Sequence, residues 1–114
     1  MKTNDAIKAL AALAQATRLD VFRLLVQHGA EGLSASVIAE KLHLPNATPS
    51  FHLKELSQAN LVSARQEGRF IYYAASYPAM NELVGYLTEN CCDGNDCGVV
   101  YEPVKYSNPK RKSA

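Results

Sequence analysis

The chain has 114 residues, enough for one domain. Apolar residues make up 47% and charged residues 20%, the balance of a soluble globular protein, and no run approaches the ~18 uncharged apolar residues of a membrane helix. The formal net charge is only +1, so a nucleic-acid face would have to come from where the cations sit rather than from their excess.

The N-terminal stretch MKTNDAIKAL has an early Asp5 and no apolar run ending in small residues. It does not read as a signal peptide, and a cytoplasmic location is expected. A domain of this size buries a limited share of its surface, so a homodimer interface would add to the core.

In chain order, an Ala- and Leu-rich helix is predicted from Asp5 to about Ala14. A second runs from Thr17 to His28, with Leu19, Phe22, Leu25 and Val26 at helical spacing and Gly29 as its stop. Ser34 can cap a third helix reaching Leu42, with Val37, Ile38 and Leu42 inward. Pro45 breaks the chain. Asn46 can then cap a helix from Ala47 to Ala59, with Pro49 tolerated in its first turn.

The period next changes from helical to two. Leu61 to Arg65 reads as a strand, Gln66-Glu67-Gly68 as a turn, and Arg69 to Ala74 as a second strand. After Pro78 a last helix is expected to reach Asn90, with Met80, Leu83, Val84 and Leu87 on one stripe. These elements give a mainly α fold with a β-hairpin wing, a winged helix-turn-helix. Residues 1–90 form its DNA-binding and dimerisation domain. Residues 91–98 are expected to serve as a cysteine effector-binding segment, and 99–114, with the basic run Lys110-Arg111-Lys112, as a mobile tail.

In this fold the helix before the wing enters the major groove of double-stranded DNA. At 100° per residue, Pro49, Leu53, Leu56 and Asn60 share its core face. Ala47, Ser50, Phe51, Lys54 and Gln58 lie opposite, with Asn46 and Thr48 at its N-terminus. His52 points sideways toward the core edge. Ser50 can hydrogen-bond a base edge or phosphate, Ala47 and Phe51 can touch thymine methyl groups, and Lys54 can neutralise a phosphate. Arg69, beside Gly68, can reach a minor groove or phosphate. Phe51 fits equally well as a residue partly buried against a neighbouring helix, while for Lys54 and Arg69 a plain solvated side chain is the less favoured alternative.

The runs Ala16-Thr17-Arg18-Leu19, Val37 to Leu42, Ser50 to Val62 and Gly68 to Tyr73 together resemble the ArsR/SmtB family of metal-responsive repressors over about residues 5 to 90. The pattern Ser50-x-His52-Leu53-Lys54-x-Leu56-x-x-Ala59-x-Leu61-Val62, followed by the Gly68-Arg69 wing, is specific in combination. Phe51 stands where the family usually has a first histidine, and Pro49 where it usually has an aliphatic residue. The resemblance implies a homodimer through the first and last helices that reads an inverted-repeat operator, with no cofactor needed for DNA binding. It implies neither an enzyme nor a small-molecule substrate.

All three cysteines fall between positions 91 and 97: Cys91, Cys92 and Cys97. An odd number in a reducing compartment argues against a disulfide framework. Three thiolates make a soft three-coordinate site, which trivalent arsenic or antimony favours, whereas zinc seeks a fourth ligand. Cadmium, lead, a thiol redox switch and, more remotely, a thiol-dependent reductase remain open on the residues alone. The helix from Ser34 to Leu42 has no cysteine and Tyr77 to Asn90 no histidine, so two effector sites used elsewhere in the family lack their ligands. The cluster resembles that of the arsenic-responsive members, which implies Cys91, Cys92 and Cys97 as ligands of As(III), with Sb(III) as the related effector.

Overall fold

A computed structural model describes residues 1–90. Its elements are α1 (Thr3–Leu13), α2 (Ala16–His28), β1 (Leu33–Ser34), α3 (Ala35–Leu42), α4 (Thr48–Gln58), β2 (Val62–Glu67), β3 (Phe70–Ala75) and α5 (Tyr77–Leu87). The winged helix-turn-helix architecture expected from the sequence is present. The fully buried Val21, Leu25, Ile38, Leu53, Leu56 and Leu61 bring α2, α3, α4 and the entry to β2 into one core.

Helix α1 turns its small residues inward. Ala6, Ala9 and Ala12 are buried at a spacing of three, while Ile7 and Leu10 face outward. Gln15 caps α2 by accepting the Arg18 N–H at 2.8 Å, and the Arg18 Nε donates to the Ala12 carbonyl at 2.6 Å. The buried stripe of α2 is Val21, Phe22 and Leu25, with Leu19 exposed. The inward face is thus rotated from the one expected, because Val21 takes the core position assigned to Leu19.

The sheet has the order β1-β3-β2, antiparallel throughout. Strand β1, absent from the expectation, pairs Leu33 with Tyr73 and Ser34 with Tyr72. Just before it, Gly32 sits at φ +79, with the Tyr73 carbonyl oxygen 2.5 Å from where a Cβ would stand. Only glycine suits both the conformation and the space.

The hairpin register pairs Glu67 with Phe70, leaving Gly68-Arg69 as a two-residue loop. The turn expected at Gln66-Glu67-Gly68 therefore begins two residues later, at Gly68, and Gln66 and Glu67 belong to β2. Gly68 has φ +61 and Arg69 is not among the positive-φ residues, the pattern of a type II′ turn with glycine first.

Helix α5 starts at Tyr77, one residue before Pro78, with Ser76 accepting the Ala79 N–H. It ends at Leu87 rather than Asn90, where the Thr88 hydroxyl donates to the Val84 carbonyl at 2.9 Å. Leu83 is buried, Met80 and Val84 half-buried, and Leu87 is exposed. The Tyr77 hydroxyl ties α5 to α2 through the Val26 carbonyl at 2.8 Å, and Thr3 and Tyr86 join α1 to α5 through their hydroxyls at 2.7 Å. Among the described residues no helix is long and apolar enough to cross a membrane.

Candidate DNA-binding interface

Helices α3 and α4 close with matching C-terminal ends. Ser34 caps α3 by accepting the Val37 N–H at 3.4 Å. At the other end His43 takes the left-handed conformation, φ 55, and its N–H bonds the Glu40 carbonyl while the Leu44 N–H bonds Ala39. Helix α4 closes the same way: Asn60 has φ 64, its N–H bonds Ser57, and the Leu61 N–H bonds Leu56. Both are Schellman ends built on a non-glycine residue. Asn60 therefore lies exposed beyond α4, not on its core face as expected. Its side chain is out of the core because the chain has already turned toward β2.

The start of α4 also differs from expectation. Asn46 does not cap it. Residues 45–48 form a turn in which the Thr48 N–H donates to the Pro45 carbonyl at 3.0 Å, and no side chain caps the helix. With Pro49 in the first turn, one backbone donor is missing by chemistry and needs no cap.

The two faces of α4 separate cleanly. Pro49, His52, Leu53 and Leu56 are buried. Ser50, Phe51, Lys54 and Gln58 are exposed, as are Asn46 and Ala47 in the preceding turn, with Thr48 half-buried. Phe51 is 59% exposed, which favours the open face over burial against a neighbouring helix. Its ring meets His52 edge-on at 5.5 Å.

His52 goes deeper than the core edge. It is buried, and its Nδ1 has no hydrogen-bond partner among the described residues. Burial lowers its pKa below the ordinary 6.5, the Arg18 charge lowers it further, and Glu55 opposes both. At neutral pH the imidazole is uncharged.

Beside α4 stands the wing. Arg69 occupies the second position of its turn and is exposed. A groove of about 280 Å³ runs between the wing and the helical body, lined by Ser36, Ser50, Arg69, Phe70, Ile71 and Tyr73 among others. Ser50 and Arg69, predicted separately, thus share one surface. Ser36, Phe70 and Ile71 join it without having been predicted.

The wing carries little apolar packing, and one arginine braces it. Arg65 Nε bonds Glu67 Oε1 at 2.9 Å, its Nη2 donates to the Glu31 carbonyl at 3.1 Å, and its guanidinium lies 5.3 Å from the centre of the Tyr72 ring. The alternation of a strand puts Arg65, Glu67 and the cross-strand Tyr72 on one face, a signal the sequence did contain. Among the described residues no group of three or more metal-ligating side chains occurs. Cys91, Cys92 and Cys97, with the tail from 99 to 114, lie outside the described residues.

Residues 13–64 match a family described as "Helix-turn-helix domain". The nodulation protein NolR of Rhizobium meliloti is 33% identical over 87 residues, covering 76% of this chain and 69% of NolR. An ArsR-like transcriptional regulator from Rhodococcus sp. RHA1 superposes with a TM-score of 0.69 at 27% identity, over 79% of this chain and 82% of that one. The chain belongs to the helix-turn-helix transcriptional regulators, and its structural neighbours include ArsR-type members. Two further solved structures are similar. A homodimeric winged helix-turn-helix DNA-binding domain from Mycobacterium bovis, a possible ArsR-family regulator, matches with a TM-score of 0.60 at 26% identity, over 82% of this chain and 87% of that one. A possible transcriptional regulator for arsenical resistance matches with a TM-score of 0.60 at 27% identity, over 70% and 80%.

Proposed function

We propose that this regulator is a homodimeric repressor that holds an inverted-repeat operator and releases it when As(III), or the related Sb(III), binds Cys91, Cys92 and Cys97. The observation that carries the DNA half is the groove in which Ser50, from the exposed face of α4, meets Arg69 of the wing. The major groove admits the helix, with Ser50, Phe51 and Lys54 toward the bases and backbone, and Asn46, Ala47 and Thr48 at its leading end. Three thiols within seven positions, just past the last helix, support a soft effector. The likeness to a possible arsenical-resistance regulator favours arsenic among the soft ions.

Dimerisation uses α1 and α5. Their outward apolar side chains, Ile7, Leu10 and Leu87, are exposed, and the hydroxyls of Thr3 and Tyr86 hold the two helices together. Gathering three thiols at the end of α5 would disturb this interface and with it the spacing of the two α4 helices. Linkage then requires the effector to bind free protein more tightly than DNA-bound protein, by about 1–3 kcal/mol.

The test is a titration of the full chain onto DNA from upstream of its own gene, read by fluorescence anisotropy. Arsenite should release the DNA, and Cys91→Ser should bind it normally but resist release. Release by cadmium or lead but not arsenite would reassign the effector, release by oxidant alone would make the cysteines a redox switch, and loss of DNA binding in Cys91→Ser would make them structural.

A further inference from the structure

We propose that Phe70 is a wedge: the wing presses its ring against a base step beside Arg69 and bends the operator. This rests on the DNA-binding reading above and adds a residue and a deformation to it. Phe70 opens β3 directly after the Gly68-Arg69 turn and is 57% exposed. A large apolar ring left in water at the tip of a hairpin is a cost that binding can remove.

Three observations identify a DNA duplex as what covers it. Phe70 lines the same groove as Ser50 and Arg69, so the ring is continuous with the surface that carries the α4 contacts. Its neighbour Arg69 is an exposed cation suited to the negative potential of a minor groove. The hairpin beneath it is braced: Arg65 links Glu67, the Glu31 carbonyl and the Tyr72 ring, and Tyr72 in turn meets Phe70 with ring centres 6.4 Å apart. Only a stiff lever can transmit the force that unstacks bases. Apolar side chains that enter the minor groove this way open a base step and kink the duplex.

The probe is a fluorophore-labelled duplex selected by the full chain from a randomised pool, with bending read from end-to-end energy transfer. Wild type should bend it. Phe70→Ala should bind roughly tenfold more weakly and leave the duplex nearly straight, with an unchanged salt dependence because Phe70 neutralises no phosphate. Phe70→Leu should keep most of the bend. Arg69→Ala should instead reduce the salt slope by about one. A straight duplex with wild type, or the same bend with Phe70→Ala, overturns the wedge and leaves the DNA reading intact. Failure of the wild type to select any duplex overturns both.

Discussion

Helix α4 and the wing meet on one surface but are held there by different forces. The inner face of α4 is pinned by Leu53 and Leu56, both fully buried, with Pro49 and His52 beside them. Strand β2 is exposed along its length after Val62, so the wing draws little from the core. It is held by its backbone ladder to β3, by the short β1 pairing and by the Arg65 brace. Burial makes the position of α4 a property of the whole fold. Polar bracing makes the position of the wing a local property, set by a few contacts outside the core.

Leu53→Ala should expose that contrast most strongly. A cavity at a fully buried leucine costs about 2–5 kcal/mol, and urea unfolding should show α4 and the wing melting together. A loss near zero would mean that α4 is not anchored by burial. Gly32→Ala attacks the join between the body and the sheet. The added Cβ would meet a backbone carbonyl at 2.5 Å in a left-handed conformation, so about 1–3 kcal/mol should be lost in thermal unfolding.

Arg65→Ala should cost global stability less than about 1 kcal/mol, since its ion pair is exposed. Its effect should be local, as faster hydrogen exchange across β2 and β3 and weaker DNA binding. Unchanged exchange there would remove Arg65 as the brace. The smallest effect is expected from pH. The native pKa of His52 lies below 6.5, so below that pH the unfolded chain binds the extra proton. Stability should be full above pH 6.5 and decline as pH falls toward the lowered native value. His52→Phe should flatten that decline in urea titrations at several pH values.

Much of this arrangement was legible in the residues. The leucine spacing of α4 and the switch to a period of two fixed the helix and the hairpin, and the exposed positions of Ser50, Phe51, Lys54 and Arg69 followed from geometry. What escaped depended on contacts distant in sequence. Strand β1 is two residues long and exists only because Tyr72 and Tyr73 lie beside it. The turn slipped because a glycine can open a two-residue loop as well as close a longer one. Asn60 mimics a core position by spacing, yet the Schellman bonds have already ended the helix. His52 looked peripheral because helical angle alone does not report the depth of the neighbouring α2. The cysteine segment announces soft chemistry by composition, while its geometry lies outside the described residues.

Helix α1 puts alanines inside and keeps Ile7 and Leu10 outside. Under the dimer proposed here, part of the protomer's apolar core is completed only by a second chain, and folding stability then depends on protein concentration. Below the dimer's dissociation constant, the population able to grip both half-sites falls with the square of chain abundance. The outward apolar residues of one helix would thus let the regulator gauge how much of itself is present, a threshold set by mass action before any effector arrives.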